Sequence, residues 1–134
     1  MRVFTKLLAI AAALAVSAPS MAQSGEITPQ ERVEGEGRVQ VAARHFARAL
    51  RDPTSAMFRN VVVQRRSGRI EVCGWINARN GYGGFTGYQP FAVVGDEVHV
   101  PRAGGIDFAY VCGNPNSVTD ARDYSAELTA AMRQ

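Results

Sequence analysis

Phe58-Arg59-Asn60-Val61-Val62-Val63-Gln64-Arg65-Arg66-Ser67-Gly68-Arg69-Ile70-Glu71-Val72-Cys73-Gly74-Trp75-Ile76-Asn77-Ala78 is the stretch on which the fold turns. Branched aliphatic residues gather on both sides of Ser67-Gly68, a dipeptide of the right length and chemistry for a two-residue hairpin turn. Two antiparallel strands are therefore predicted, 58–66 and 70–78. A second hairpin is predicted downstream, with Phe91–Val94 and Glu97–Val100 joined at Gly95-Asp96, Val98 and Val100 facing in and Glu97 and His99 facing out. Beyond a loop at 101–105, Ile106, Phe108, Tyr110 and Cys112 alternate as one face of a last strand.

Helices are predicted on either side of the strands. Thr28-Pro29-Gln30-Glu31 has the form of a capping box with proline at the first helical position. Gly35 and Gly37 each cost a helix about 1 kcal/mol, so a break, or a true start after Gly37, is expected. Val39, Ala42, Ala43, Phe46, Ala49 and Leu50 then fall on one helical face, with Arg44, Arg48 and Arg51 on another. Such an arginine stripe is ordinarily a solvated face, and otherwise a docking surface for an acidic partner. Asp52-Pro53 ends the helix, because a residue before proline is pushed out of helical conformation. At the other end of the chain, Ser117-Val118-Thr119-Asp120 looks like a second capping box, ahead of an apolar stripe of Ala121, Tyr124, Leu128, Ala131 and Met132. The expected fold is α+β: an N-terminal helix, an antiparallel sheet of four or five short strands, a C-terminal helix and one disulfide.

The compartment is read from the beginning of the chain. Arg2 and Lys6 precede an unbroken apolar run, Leu7–Val16, and Ser20-Met21-Ala22 supplies the small residues of a cleavage site. Residues 1–22 are thus expected to be a cleaved signal peptide, with 23–134 the single mature domain, exported to the periplasm or beyond the cell. The apolar run is too short for a membrane span, which needs about 20 residues. The expected leader carries off two of the fifteen basic residues and none of the twelve acids. What remains is thirteen arginines against twelve carboxylates, a balance that gives no reason to expect nucleic acid or an anionic membrane as partner. Gln23 to Ile27 is expected to fray.

Cys73 and Cys112 both fall behind the cleavage site. Two cysteines in an exported chain predict one disulfide. Its 39-residue separation corresponds to about 4 kcal/mol in chain-entropy terms. Metal ligation is the competing reading, but there is no C-x-x-C, and neither His45 nor His99 stands at zinc-ligand spacing from either cysteine. No metal and no cofactor are expected.

The most distinctive segment is Asn80-Gly81-Tyr82-Gly83-Gly84-Phe85-Thr86-Gly87-Tyr88. Neither a phosphate-binding loop nor the dinucleotide fingerprint fits its glycines. Two readings stay open. In one the aromatics fold back over the sheet edge; in the other Tyr82, Phe85 and Tyr88 form an exposed platform with Asn77, Arg79 and Asn80 as its polar rim. Taken with Asp52-Pro53-Thr54-Ser55-Ala56-Met57-Phe58 and Cys73-Gly74-Trp75-Ile76-Asn77, the segment resembles a family of small exported bacterial and phage-encoded proteins of uncharacterised function. Their pattern is D-P-x-S-A-x-F followed by C-G-x-[IV]-N-x-[RK]-N-x-[YF]-G-G-[FY]-x-G-[YF], and the resemblance spans residues 50–94. It implies no activity, and Trp75 stands where an acidic residue is common in that family.

Chemistry-bearing residues are sparse. His45 borders the apolar face of the first helix. His99, with Asp96 or Asp107, is the better candidate for a general base. No G-x-S-x-G, H-E-x-x-H or S-x-x-K motif occurs in residues 23–134, and a free Cys73 nucleophile runs against an oxidising compartment. The leading expectation is a periplasmic or secreted binding module that offers loop 80–88 to an envelope protein or cell-wall component. A small hydrolase working from His99, and a structural subunit of an envelope or phage-derived assembly, are the alternatives.

Overall fold

The computed structural model describes residues 25–101 and 105–134; the expected signal peptide, 1–22, lies outside the described residues. Helix α1 spans Pro29–Ala49 and begins on the capping box: the Thr28 hydroxyl accepts from the Glu31 N–H at 3.2 Å, and Glu31 accepts from the Thr28 N–H at 2.8 Å. The expected break at the glycines does not occur. Gly35 is buried against the strand that carries Val63, where an added Cβ would lie 2.4 Å from a Val63 methyl, so the helix approaches the sheet more closely than any side chain would allow. Ile27, expected in a frayed end, is buried in the main core. The Leu50 N–H closes α1 on the Phe46 carbonyl, and a single 3-10 turn, Pro53–Ser55, leads into the sheet.

The strands are β1 (Met57–Arg66), β2 (Arg69–Asn77), β3 (Gln89–Val94), β4 (Glu97–His99) and β5 (Val118–Thr119), all antiparallel in the order β4-β3-β2-β1-β5. Ser67 and Gly68 join β1 to β2 with φ of 49° and 74°, both left-handed as a primed hairpin turn requires. A bulge between Arg59 and Val62, with Asn60 at φ 50°, breaks the two-residue alternation of β1. It brings Phe58, Val61 and Val63 all to the core, which an unbroken strand could not do.

Three layers result. On the front face, Val39, Ala42, Ala43 and Phe46 of α1 pack on the sheet beside Tyr124, Leu128 and Met132 from the C-terminal segment that includes α3 (Ser125–Ala131). Phe46 lies at the centre, its ring 5.2 Å from Phe91 and 5.7 Å from Phe58. On the back face lies α2 (Phe108–Cys112), where Cys73, Ala92 and Val111 form a smaller core and Cys112 is bonded to Cys73. Beside it, buried Gln64 donates to both Glu71 and the Val111 carbonyl, and Arg66 donates twice to Glu71.

The chain is therefore α+β with the expected disulfide, but two further local expectations fail. Residues 108–112 form a helix, not a strand, because the Asp107 carboxylate accepts from the N–H groups of Ala109 and Tyr110 and starts one. Phe108, Val111 and Cys112 then turn to the back-face core, while Tyr110 is left exposed. Ser117–Asp120 does not cap a helix. Val118 and Thr119 pair with Arg65 and Gln64 at the sheet edge, and Asp120 reaches back to Arg32 through bonds of 2.8 and 3.2 Å. The last helix begins only at Ser125, whose N–H donates to Asp123, and Ala121 is exposed.

Candidate functional site

The glycine-aromatic loop is built by hydrogen bonds from its own polar side chains. Asn80 Oδ1 accepts from the N–H groups of Tyr82 and Gly84, and the Asn80 N–H donates to the Gly84 carbonyl at 2.8 Å. Arg79 and Phe85 form a bridge across this small hairpin, and the Arg79 N–H donates to the Ser55 hydroxyl. Further along, the Thr86 N–H reaches the Ala78 carbonyl and the Gly87 N–H reaches Asn77 Oδ1. Gly83 and Gly87, with φ of 83° and 80°, supply the two left-handed turns. Asn77 and Asn80, anticipated as rim residues, thus brace the loop from within.

The structure divides the three loop aromatics between two places. Tyr82 is at the tip and fully exposed; Phe85 is 47% exposed, with the Arg79 guanidinium 5.4 Å from its ring centre. Tyr88 lies beyond the Gly87 turn, where the Arg59 guanidinium sits 4.0 Å from its ring centre and 5.8 Å from that of Trp75. Trp75, Arg59 and Tyr88 together occupy the half of the sheet's back face that α2 leaves open. Trp75 was not singled out from the sequence as a site residue, although its position two after Cys73 on one strand puts both on the same face.

The loop also forms one wall of a cleft of about 340 Å³ against the C-terminal end of α1. Phe46, Leu50, Ile76, Ala78 and Val100 line it with apolar surface, and Arg51, Arg79, Asn80 and Gln89 contribute polar groups. Arg51 lies against the loop at Gly81, its Nη1 3.4 Å from where a Cβ would stand, so the glycine leaves room for the guanidinium. His45 is shared between this cleft and a neighbouring depression that also borders Arg44, Arg48 and Asp96. Burial, and then the charge of Arg48, push the His45 pKa below its ordinary value.

The remaining chemistry-bearing candidates are placed as follows. His99 stands on β4 with the Glu97 carboxylate 3.7 Å from its Nε2, Asp96 is in the adjoining turn, and Asp107 is engaged in starting α2. Cys73 is in the disulfide and offers no thiol. Among the described residues, no three His, Cys, Asp or Glu side chains converge as a metal ion would need, and no helix is long and apolar enough to cross a membrane. The chain matches no protein-family model, no curated protein and no solved structure.

Proposed function

We propose that this protein is a binding module of an oxidising compartment, periplasmic or extracellular, that offers the tip of its glycine-aromatic loop to an envelope protein or a cell-wall component. The observation that carries the reading is Tyr82: a large aromatic, fully exposed, on a loop whose backbone is held by its own asparagines. Exposed aromatics on pre-ordered loops bind with little ordering cost, and tyrosine offers both an apolar face and a hydroxyl. The Arg79–Phe85 pair beside it adds a cation to the same surface. The disulfide and the leader-like residues 1–22 both suit export.

The test is capture from an envelope extract and co-sedimentation with isolated cell wall, comparing the unaltered protein with Tyr82→Ala and Phe85→Ala combined. The variant is expected to lose about tenfold or more in capture. Its unfolding free energy should stay within about 0.5 kcal/mol of the parent, as for other surface changes. Equal capture by the two proteins would remove the loop from the reading.

A further inference from the structure

The arginines are unequally matched along the molecule. Arg32 is paired with Asp120, Arg38 with Glu34, Arg65 with Glu31, Arg66 with Glu71, and Arg122 with Glu36 and Glu127. The other described arginines, Arg44, Arg48, Arg51, Arg59, Arg69, Arg79 and Arg133, have no carboxylate partner among the described residues, and of these Arg51 and Arg79 line the cleft. These two flank the 340 Å³ cleft, and no acidic residue lines it. Its floor reaches the main core at Phe46, Ile76 and Ala78, all buried.

An apolar recess of a few hundred cubic ångströms with a few convergent polar groups has the make-up of a small-molecule site. Two guanidiniums without a carboxylate partner at such a recess, one of them set against the Phe85 ring, favour an anion, and their planar forks match a carboxylate best. Arg51 is laid in position against Gly81, and Asn80 and Gln89 line the same cleft with amide groups. From this arrangement we infer that the cleft binds a small amphiphilic carboxylate, with its hydrocarbon body against Phe46, Ile76 and Val100 and its carboxylate between Arg51 and Arg79. This site goes beyond the loop-tip reading: the two share the Arg79 side chain, but neither Tyr82 nor Phe85 lines the cleft.

Calorimetric titration of the purified protein with decanoate, and with decanol as the neutral counterpart, tests the inference. Decanoate is expected to bind once per chain and more tightly than decanol. Arg51→Gln and Arg79→Gln should each weaken decanoate by about tenfold, the scale of a hydrogen bond to a charged group, and leave decanol unaffected. Arg69→Gln, an exposed arginine at the opposite end of β2, controls for a general change of charge. Absence of decanoate binding, more than one site per chain, or equal loss in the Arg69 variant would overturn the inference. Thermal unfolding of each variant separates a lost ligand from a lost fold. Failure here leaves the capture experiment with the Tyr82 variant standing, because the two read different residues.

Discussion

On its front face the sheet meets α1 and α3 through one continuous apolar cluster, whereas on its back face α2 covers only half the surface and is fixed by a disulfide and the Glu71–Gln64–Arg66 network. The contrast follows from area. A one-and-a-half-turn helix such as α2 buries little more than Val111 and part of Phe108, too little to hold it by the hydrophobic effect alone. A covalent bond and buried hydrogen bonds do there what packing does in front. The half left open is where Trp75, Arg59 and Tyr88 lie.

The sharpest way to break the contrast is to empty the front core. Phe46→Ala is expected to lower the unfolding free energy by about 3–5 kcal/mol, measured by urea denaturation, and by the same amount with or without reductant. On the back face, Cys73→Ala combined with Cys112→Ala is expected to cost about 2–4 kcal/mol. Reductant added to the unaltered protein should reproduce that loss and should have no further effect on the double variant. A reductant effect that persisted without the cysteines would deny the disulfide its role.

The smallest of the three effects at neutral pH concerns the seam between α1 and the chain end. Hydrogen bonds from Arg32 hold the Asp120 carboxyl below its usual value, outweighing the upward push of burial, and Arg65 does the same for Glu31. A carboxyl depressed in the folded state favours folding above its unfolded value of about 4, and that advantage is lost as pH falls through the lower folded value. The protein should therefore lose stability on acidification below about pH 4. Asp120→Asn should lower the melting temperature at pH 7 and flatten the acid limb of the melting curve. An unchanged acid limb would show that the Arg32 pair does not govern it.

How much of this was readable in advance depended on the reach of each interaction. The Thr28 capping box, the Ser67-Gly68 hairpin and the pairing of the two cysteines are encoded within a few residues or by simple counting, and all are present. Alternation at Ile106, Phe108, Tyr110 and Cys112 misled because the segment is short. Phe108, Val111 and Cys112 satisfy helical spacing equally well, and Asp107 decides for the helix. Asp120 misled because its partner, Arg32, lies 88 residues away, beyond any local pattern. The bulge that re-aims Val61 was equally illegible, since its backbone N–H is satisfied by Asp123 and Ser125 near the other end of the chain. In the loop, glycine density marked the segment. Its division at Gly87, which sends Tyr88 to the back face and leaves Tyr82 at the tip, required the three-dimensional path.

The chain's single tryptophan stands on the open half of the back face, 38% exposed, beside the Arg59 cation. Its emission is therefore an optical probe of one location. It should respond when something covers that face or when β1 and β2 part. Occupancy of the cleft, on the opposite side of the sheet, should leave that emission unchanged, so the protein carries a label that can tell its two sides apart without any dye being attached.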